Sequence, residues 1–459
     1  MVFSSFEFLF RFLPVFLIIY YLTKEQYRNL VLLLGSLIFY TVGEKEYVIL
    51  LLASIVINYV IAIGMYPGRE TADSPQKPGA RQKLMLVLAL LFDFGSLFFF
   101  KYSGMVEKLP LGISFYTFQI AGYMIDVYRG NVPAEKALTR LGAYITMFPQ
   151  LVAGPIVNYT EVREHLSKRT LTYEAFEDGL RVLVLGLAAK VVIADRIGLL
   201  WNQIQTIGFS SISTPLAWLG AFAYSLQLYF DFAGYSMMAI GLGKMIGFHF
   251  PINFRLPYVS KSVSEFWRRW HITLGRWFRE YVYIPLGGNR KGKIRTFLNL
   301  MIVWALTALW HGAQPNFLIW GAMLLSLLAL EKLVLYSYLD ESRFAGHLYV
   351  LTVVPVTWVA FAIMDVEGLL TYYQRMFPIS GQNGGFGNMS DCVKYLGDYG
   401  ALFLVAILFA SPVPQMFYNW MKRKKGTEVA LNLIILLIFG LSLYYMAIST
   451  NNPFLYFNF

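Results

Sequence analysis

The stretch FLNLMIVWALTALWHGAQPNFLIWGAMLLSLLALEKLVL, residues 297–335, decides the fold class. It contains two apolar runs, about 297–312 and 317–335. A helix rises about 1.5 Å per residue, so roughly 20 apolar residues cross a hydrocarbon core about 30 Å thick. The first run is short, and its helix is expected to be tilted, broken or re-entrant. Gly312 permits close backbone approach and Pro315 limits helix continuation, which predicts a break beside His311.

The composition of the whole chain supports the same class. Of 459 residues, 57% are hydrophobic and only 14% are charged, a mixture that excludes an ordinary soluble protein. The short alternating strands of a membrane β-barrel are missing from the sequence pattern, so backbone hydrogen bonds must be satisfied within helices. We therefore expect an all-α multi-pass membrane protein. Cys392 is the single cysteine, which excludes an intrachain disulfide and a cysteine-based metal site.

Apolar runs recur along the whole length, and we expect about eleven transmembrane helices with shorter re-entrant or interfacial helices, in one membrane domain of residues 1–459. The run 6–22 is expected to be a retained span rather than a signal peptide. Residues 67–83 and 377–390 are predicted to be exposed loops. The remaining candidate segments are about 29–42, 47–66, 84–102, 111–127, 141–157, 180–198, 215–233, 234–250, 347–366, 399–418 and 429–449.

The positive charge is concentrated in one part of the chain. The net charge is +11, and residues 251–296 contain ten lysine and arginine residues against two glutamates. Lysine and arginine accumulate on the cytoplasmic side of membrane proteins, which explains this excess better than nucleic-acid binding. Alternating sides through the candidate spans places the positive loops around residues 67–83, 279–295 and 421–426 in the cytoplasm. It places residues 367–398 and both chain ends outside.

An amphipathic segment lies within the basic region. The stretch 262–284, which begins SVSEFWRRWHITLGRWFREYVY, has aromatic residues at helical spacing and an arginine-rich opposite side. The Ser264/Glu265 pair resembles a helix start, so one helix is predicted through the stretch. An interfacial helix with aromatic rings at the headgroup level explains most of these residues. It does not explain His271, which adds neither anchoring nor solubility.

His311 has two competing interpretations. Ionisable groups at membrane depth are costly and usually face a cavity or a pathway, which favours a functional role. A histidine whose ring nitrogens bond a backbone carbonyl and a neighbouring helix explains the position equally well. The ordinary imidazole pKa of about 6.5 suits base catalysis, and such a base could activate a hydroxyl group against an acyl thioester. His165, His249 and His347 are better explained by surface or interfacial roles.

Two further polar residues lie in the apolar aromatic run YSLQLYFDFAGY, residues 224–235. Asp231 is an intramembrane carboxylate, and Gln227 lies one helical turn before it. A functional role and a structural hydrogen bond are about equally good explanations for them. No G-x-S-x-G elbow or Ser–His–Asp pattern is present, so a nucleophilic hydroxyl group is expected to come from the substrate rather than from a serine of the chain.

Several motifs together resemble the membrane-bound O-acyltransferase superfamily, and most of all its bacterial alginate O-acetyltransferase membrane-subunit branch. The resemblance runs from the N-terminus to about residue 335. One departure is Met237, where relatives often have a carboxylate, so no required acid is expected there. The motifs, in chain order, are LPLGISFYTFQ, FPQLVAGPI, LYFDFAGYSMMAIGLGKMIGFHFPINFRLPY, SVSEFWRRWHITLGRWFREYVYIPLGGNRKGK and ALWHGAQPNFLIWGA.

The resemblance implies a ring of helices around a tunnel, with a catalytic core at about 84–335 and looser helices at 336–459. It assigns the invariant histidine of the family to His311 and the second histidine to His271. His311 would take the proton of an attacking hydroxyl, while His271 or nearby amides orient or polarise the acyl group. Candidates for lining the tunnel or contacting substrate are Trp310, Gly312, Trp270, Asp231 and Gln227.

The resemblance also implies the reactants and partners. The donor is acetyl-CoA or an acyl-carrier thioester in the cytoplasm, and the acceptor is an exported polysaccharide or cell-wall polymer outside a bacterial cytoplasmic membrane. Extracellular or periplasmic acetyltransferase partners are expected, whereas a metal, a permanently bound cofactor and nucleic acid are not. Positive-inside topology and attraction of donor phosphates or an acidic carrier explain the basic residues equally well. These donor-facing candidates are Arg268, Arg269, Arg276, Arg279 and Lys291.

The sequence leaves three alternatives open. Many spans with intramembrane polar groups also describe a transporter or channel. A scaffold subunit that passes the acyl group to an extracellular enzyme is a second possibility. The third is D-alanyl transfer to teichoic acid from a carrier protein, by a more distant branch of the same superfamily.

Overall fold

A computed structural model of the chain describes residues 2–66, 78–105, 109–378, 389–424, 426–449 and 454–455. These ranges contain helices and turns but no strand, which confirms the all-α prediction. Most of the predicted loops at 67–83 and 377–390 lie outside the described residues.

The first half of the described chain contains eleven α-helices and two π-helical turns. The π-helical turns are Glu7–Phe12 and Ala189–Ala194. The α-helices are α1 Leu13–Leu22, α2 Arg28–Gly43, α3 Val48–Met65, α4 Ala80–Tyr102, α5 Ile113–Arg129, α6 Leu138–Thr146, α7 Phe148–Leu151, α8 Tyr159–Ser167, α9 Tyr173–Ala188, α10 Asp195–Ile207 and α11 Thr214–Met245.

The second half contains ten α-helices and two further π-helical turns. The turns are Arg279–Tyr283 and Glu331–Leu335. Across both halves of the described chain, short 3-10 turns occur at Glu25–Tyr27, Phe209–Ser211 and Pro257–Val259. The α-helices are α12 Val263–Arg269, α13 Ile272–Phe278, α14 Gly292–His311, α15 Pro315–Leu330, α16 Tyr336–Glu341, α17 Arg343–Ala362, α18 Val366–Met376, α19 Ser390–Phe409, α20 Val413–Lys422 and α21 Glu428–Ile448.

Within the described ranges, seven helices are long and apolar enough to cross a membrane. They are α3, α4, α14, α15 with its π-helical turn, α17, α19 and α21. This agrees with a multi-pass membrane protein, while eleven spans stay a prediction. Helix α2 is only 16 residues long, and α5 ends with Asp126 and Arg129 inside it, so neither is a complete apolar span by itself. The predicted segment 141–157 is broken, because α6 ends at Thr146 and α7 has only four residues.

Two predicted segments, 215–233 and 234–250, form one helix instead. Helix α11 continues from Thr214 to Met245 without interruption. The sequence prediction placed a boundary before Gly234, but this glycine serves close packing. A Cβ atom there would lie 2.7 Å from the carbonyl oxygen of Gly186, so the missing side chain lets two backbones approach.

The predicted continuous helix over 262–284 is also wrong, because the chain breaks at His271. Ser262 rather than Ser264 caps α12, accepting a hydrogen bond from the Glu265 N–H at 3.0 Å. Helix α12 ends at Arg269, and α13 begins at Ile272. His271 lies between them with φ of 44°. A non-glycine residue in this left-handed region is uncommon and marks a position that the surrounding structure must hold.

The chain folds as two units. The first comprises the described residues of Met1–Leu183, Tyr235–Ile252 and Arg276–Tyr281. Its buried centre is aromatic, with six phenylalanine rings in mutual contact: Phe3, Phe8, Phe12, Phe16, Phe39 and Phe148. The second comprises the described residues of Val184–Gly234, Asn253–Gly275 and Val282–Phe459, and both histidines of interest belong to it.

Three helices of the second unit position His311. Helix α14 ends at His311 because Gly312 is extended and Pro315 begins α15 at its first turn. The two helices pack closely, since a Cβ atom on Gly321 would lie 3.0 Å from the Ala308 Cβ. Asn316, near the start of α15, donates to the carbonyl groups of the last turn of α17 at 3.1 and 3.0 Å. The break after His311 is therefore fixed by packing and by buried hydrogen bonds.

Candidate active site

His311 lies in an aromatic enclosure. It is buried, with 5% of its surface exposed. Its ring stacks on Phe317 at 6.1 Å between centroids and meets Trp320 and Phe361 edge-on at 5.1 and 5.0 Å. The preceding residue, Trp310, contacts it at 4.8 Å. Four aromatic side chains from α14, α15 and α17 thus hold one imidazole, which is the rigid placement that a catalytic group requires.

His271 is held by the segment before α12. Its Nδ1 lies 3.1 Å from the Oδ1 of Asn253. The same oxygen accepts from the N–H and the hydroxyl of Thr273 at 3.3 and 3.0 Å, and the Ile272 N–H donates to the Asn253 carbonyl at 2.9 Å. The ring meets Phe232 edge-on at 4.7 Å. Burial lowers the pKa of the His271 imidazole, because desolvation disfavours the charged form.

Trp310 brings the two histidines together. Its ring lies 6.1 Å from that of His271 and 4.8 Å from that of His311. These residues are 40 positions apart in sequence and belong to the same unit. The structure thus groups the two predicted catalytic histidines around one indole ring, which was itself predicted to lie in the site.

Gly312 is needed for the packing of this group. A Cβ atom on Gly312 would lie 2.4 Å from the Cε2 of Phe317, far inside van der Waals contact. The φ of Gly312 is 174°, which any residue can adopt, so the requirement is for space and not for an unusual backbone. Gly312 therefore allows Phe317 to stack on His311.

Trp270 and Gln227 have different surroundings from the two histidines. Trp270 is 1% exposed and packs among Phe266 and Trp358, at 5.5 and 4.9 Å between centroids. The side chain of Gln227 lies against Gly198 of α10, where a Cβ atom would be 2.4 Å from the Gln227 Nε2. The Oε1 of Gln227 is buried and has no hydrogen-bond partner among the described residues.

Asp231 belongs to a buried ionic group that the sequence prediction did not include. Lys190, in the π-helical turn before α10, contacts Asp195 at 2.5 Å and Asp231 at 2.7 Å. All three side chains are at least nine-tenths buried. The second oxygen of Asp231 accepts from the Leu455 N–H at 2.9 Å, so the group also holds a residue near the C-terminus. Asp231 thus has structural partners in Lys190 and the Leu455 N–H, and its place in the tunnel stays a prediction.

The five predicted donor-facing basic residues fall into two groups. Arg269 binds Glu265 of its own helix at 2.7 Å, and Arg276 binds Glu161 through two nitrogens at 2.6 and 2.8 Å. The guanidinium groups of these two are already engaged with carboxylates. The other three are exposed: Arg268, Arg279 and Lys291.

The three remaining histidines have other partners. His165 and His249 contact each other at 3.2 Å, and the Nδ1 of His347 lies 3.1 Å from the Ser260 carbonyl. Across the described ranges, no group of three or more His, Cys, Asp or Glu side chains could hold a metal ion.

Sequence reasoning missed Asn253, Lys190 and Asp195. The lysine stands in the apolar run GLAAKVVIADRI, so the argument applied to Asp231 would have identified it. Asn253 is uncharged, so the argument from a charged residue in an apolar run did not apply to it. It lies in the irregular segment FHFPINFRLP, residues 248–257, and gains its role only because the chain breaks at His271 and brings Ile272 and Thr273 within hydrogen-bond distance of it.

The chain is similar to known membrane proteins over most of its length. The model of the membrane-bound O-acyltransferase family matches residues 138–369, a range that contains both histidines. A protein of Pseudomonas putida named probable alginate O-acetylase AlgI is 37% identical, over the full length of both chains. A Helicobacter pylori peptidoglycan O-acetyltransferase is 33% identical over 83% of this chain and 80% of its own.

A more distant relative is the teichoic acid D-alanyltransferase of Bacillus subtilis. It is 30% identical over 46% of this chain and 56% of its own length. The family match covers half of the chain, and the longer alignments reach across nearly all of it. The chain therefore belongs to the membrane-bound O-acyltransferase family and is a multi-pass membrane enzyme that transfers acyl groups to oxygen.

Proposed function

We propose that this enzyme transfers an acetyl group from a cytoplasmic thioester, such as acetyl-CoA, to a hydroxyl group of an exported polysaccharide at a bacterial cytoplasmic membrane. The observation that carries the proposal is the grouping of His271 and His311 around Trp310. The full-length similarity to a protein named as an alginate O-acetylase favours acetyl as the acyl group and a polysaccharide as the acceptor.

The chemistry assigned to His311 is general base catalysis. As the hydroxyl oxygen forms a bond to the thioester carbonyl carbon, an imidazole nitrogen of His311 receives the hydroxyl proton. The carbon–sulfur bond then breaks, and the sulfur leaves with that proton as a thiol. The aromatic rings of Trp320 and Phe361 fix the imidazole edge-on, so little reorganisation is needed during the reaction.

The other predicted residues take supporting roles in this proposal. Trp310 and Gly312 shape the space beside His311. The exposed cations Arg268 and Lys291 are better placed to attract donor phosphates than Arg269, which is paired with Glu265. The donor enters from the cytoplasm and the acceptor from outside, through a tunnel of one membrane domain. Extracellular partner proteins deliver the polymer or receive the acetyl group.

The proposal is tested with inside-out membrane vesicles that contain the full chain. Acetyl-CoA labelled in the acetyl group is added outside, which is the cytoplasmic face, and mannuronate oligosaccharides are enclosed within, together with a periplasmic extract that supplies the partner proteins. We expect alkali-labile labelled acetate on the oligosaccharides. Labelled acetate no higher than in vesicles without the chain would overturn the proposal.

Two parallel samples separate the alternatives. D-alanyl thioester on a carrier protein replaces acetyl-CoA in the first, because a relative is a D-alanyltransferase. Efficient transfer only from this donor would show that the enzyme transfers D-alanyl and not acetyl groups. The second contains the extracellular partner without oligosaccharide, and a stable acetyl ester on that protein would identify transfer through the partner. Accumulation of free acetyl-CoA inside the vesicles would indicate a transporter.

A further inference from the structure

The hydrogen bonds at Asn253 determine which nitrogen of His271 carries the proton. The Thr273 backbone N–H can only donate, and it lies 3.3 Å from the side-chain oxygen of Asn253. The opposite amide orientation would place two donors against each other. The atom facing His271 is therefore the carbonyl oxygen, which can only accept.

This orientation fixes the tautomer of the neutral imidazole. The His271 Nδ1, 3.1 Å from Asn253 Oδ1, must carry the hydrogen. The Nε2 then has a lone pair and no hydrogen. Burial lowers the pKa of the imidazole, and the two rings that contact it, Phe232 and Trp310, are uncharged and do not favour a second proton.

The other ring nitrogen of His271, Nε2, is available to a ligand. It is buried and has no hydrogen-bond partner within the parts of the chain that the structure describes. A buried polar atom normally has a partner, because its lost hydration is otherwise uncompensated. His271 also adopts a left-handed φ of 44°, a strained conformation that its hydrogen bond to Asn253 and the backbone bond of Ile272 maintain.

We infer that the Nε2 of His271 accepts a hydrogen bond from a second hydroxyl group of the acceptor polysaccharide, not the one that His311 deprotonates, and that Asn253 is the positioning residue that keeps this nitrogen unprotonated. His271 consequently does not polarise the acyl carbonyl, a role that requires an N–H donor. The resemblance implied that His271 orients or polarises the acyl group; the geometry favours instead that it orients the acceptor. The inference rests on the proposed function for the identity of the hydroxyl group.

The tautomer is measured directly by NMR on the detergent-solubilised full chain labelled with 15N-histidine. The His271 signals are assigned by their loss in a His271→Asn variant. We expect Nδ1 to be protonated and Nε2 to be unprotonated at neutral pH. A protonated Nε2 would overturn the inference, whether or not the protein transfers acetyl groups.

Variants of Asn253 test the positioning role. Asn253→Leu removes the acceptor and keeps a branched side chain with the same number of heavy atoms. The rate of transfer should fall about 10- to 100-fold, the loss typical when the hydrogen-bond partner of a metal-bound histidine is removed. Asn253→Asp keeps an oxygen opposite Nδ1 but adds a negative charge that favours a second proton on the ring, so its rate of transfer should rise with pH relative to wild type. Asn299→Leu is the matched control, because Asn299 is equally buried but bonds the Gly288 carbonyl. Equal losses in Asn253→Leu and Asn299→Leu would show a purely structural role.

The His271→Asn variant tests whether His271 contacts the substrate or only anchors the chain to Asn253. Asparagine keeps an N–H donor for Asn253 but has no group at the Nε2 position. We expect a folded protein with transfer reduced about 100-fold, mainly through kcat. Wild-type transfer would reduce His271 to an anchor and overturn the inference. Loss of the proposed function is recognised separately, since no variant, including His311→Ala, would then differ from wild type in transfer.

Discussion

At the scale of single residues, the site depends on how closely aromatic rings are packed around His311. The sequence identified His311 and Trp310, since a histidine beside a helix break in an apolar run has few ordinary explanations. It could not identify Phe317 or Phe361 as its neighbours, because apolar aromatic residues are common throughout this chain. Only the packing of α15 and α17 against the end of α14 places them there.

Gly312→Ala tests this packing. The new methyl group would lie 2.4 Å from Phe317, so the ring must move, and the ring of His311 stacked on it loses its support. We expect the rate of acetyl transfer to fall about tenfold, because small displacements of reacting groups are costly. Gly440→Ala, on a helix with open space around the glycine, is the control. Equal transfer rates in the two variants would contradict the packing role.

At the scale of elements, the sequence predicted helices well and their interruptions poorly. Aromatic residues recur at helical intervals both before and after His271, so the sequence pattern favoured one continuous helix. The break is imposed by residues distant in sequence. The Asn253 carbonyl and side chain take the hydrogen bonds of Ile272 and Thr273, and Glu331 accepts from the Ser264 N–H at the start of α12, at 3.0 Å. No local pattern contains this information.

The Lys190 group joins the π-helical turn before α10 to α11, and its replacement should be costly. Lys190→Met leaves Asp195 and Asp231 buried without their cation, so the free energy of unfolding should decrease by about 3–5 kcal/mol. Adding Asp195→Asn and Asp231→Asn removes the uncompensated charge and should restore most of that loss. Thermal unfolding of the purified protein in detergent measures both effects. Equal stability of Lys190→Met and wild type would exclude a structural role for the group.

At the scale of the whole molecule, composition alone was sufficient for the all-α membrane class. The number of spans was not predictable, because several segments combine intermediate length with charged or helix-breaking residues. Helix α5 contains Asp126 and Arg129, and the segment 141–157 divides at Met147. Such segments are stable at membrane depth only when protein covers them, which depends on tertiary packing rather than on hydropathy.

The predicted orientation can be measured because the chain has one cysteine, Cys392. In a Cys392→Ser background, we introduce Lys291→Cys or Glu367→Cys, both at exposed positions. In intact cells a membrane-impermeant thiol reagent should label the Glu367→Cys variant and leave the Lys291→Cys variant unlabelled until the membrane is opened. The reverse pattern would place the basic loop outside and contradict donor binding there.

The central claim is that His311 is the general base of acetyl transfer, and a single substitution tests it most directly. We compare His311→Ala with wild type and with His249→Ala, an exposed histidine, in the vesicle assay, at equal amounts of folded protein. His311→Ala should lower the rate of acetyl transfer by about 10²- to 10⁴-fold, as expected for loss of a general base, whereas His249→Ala should not. A His311→Ala rate within about twofold of wild type would contradict the account.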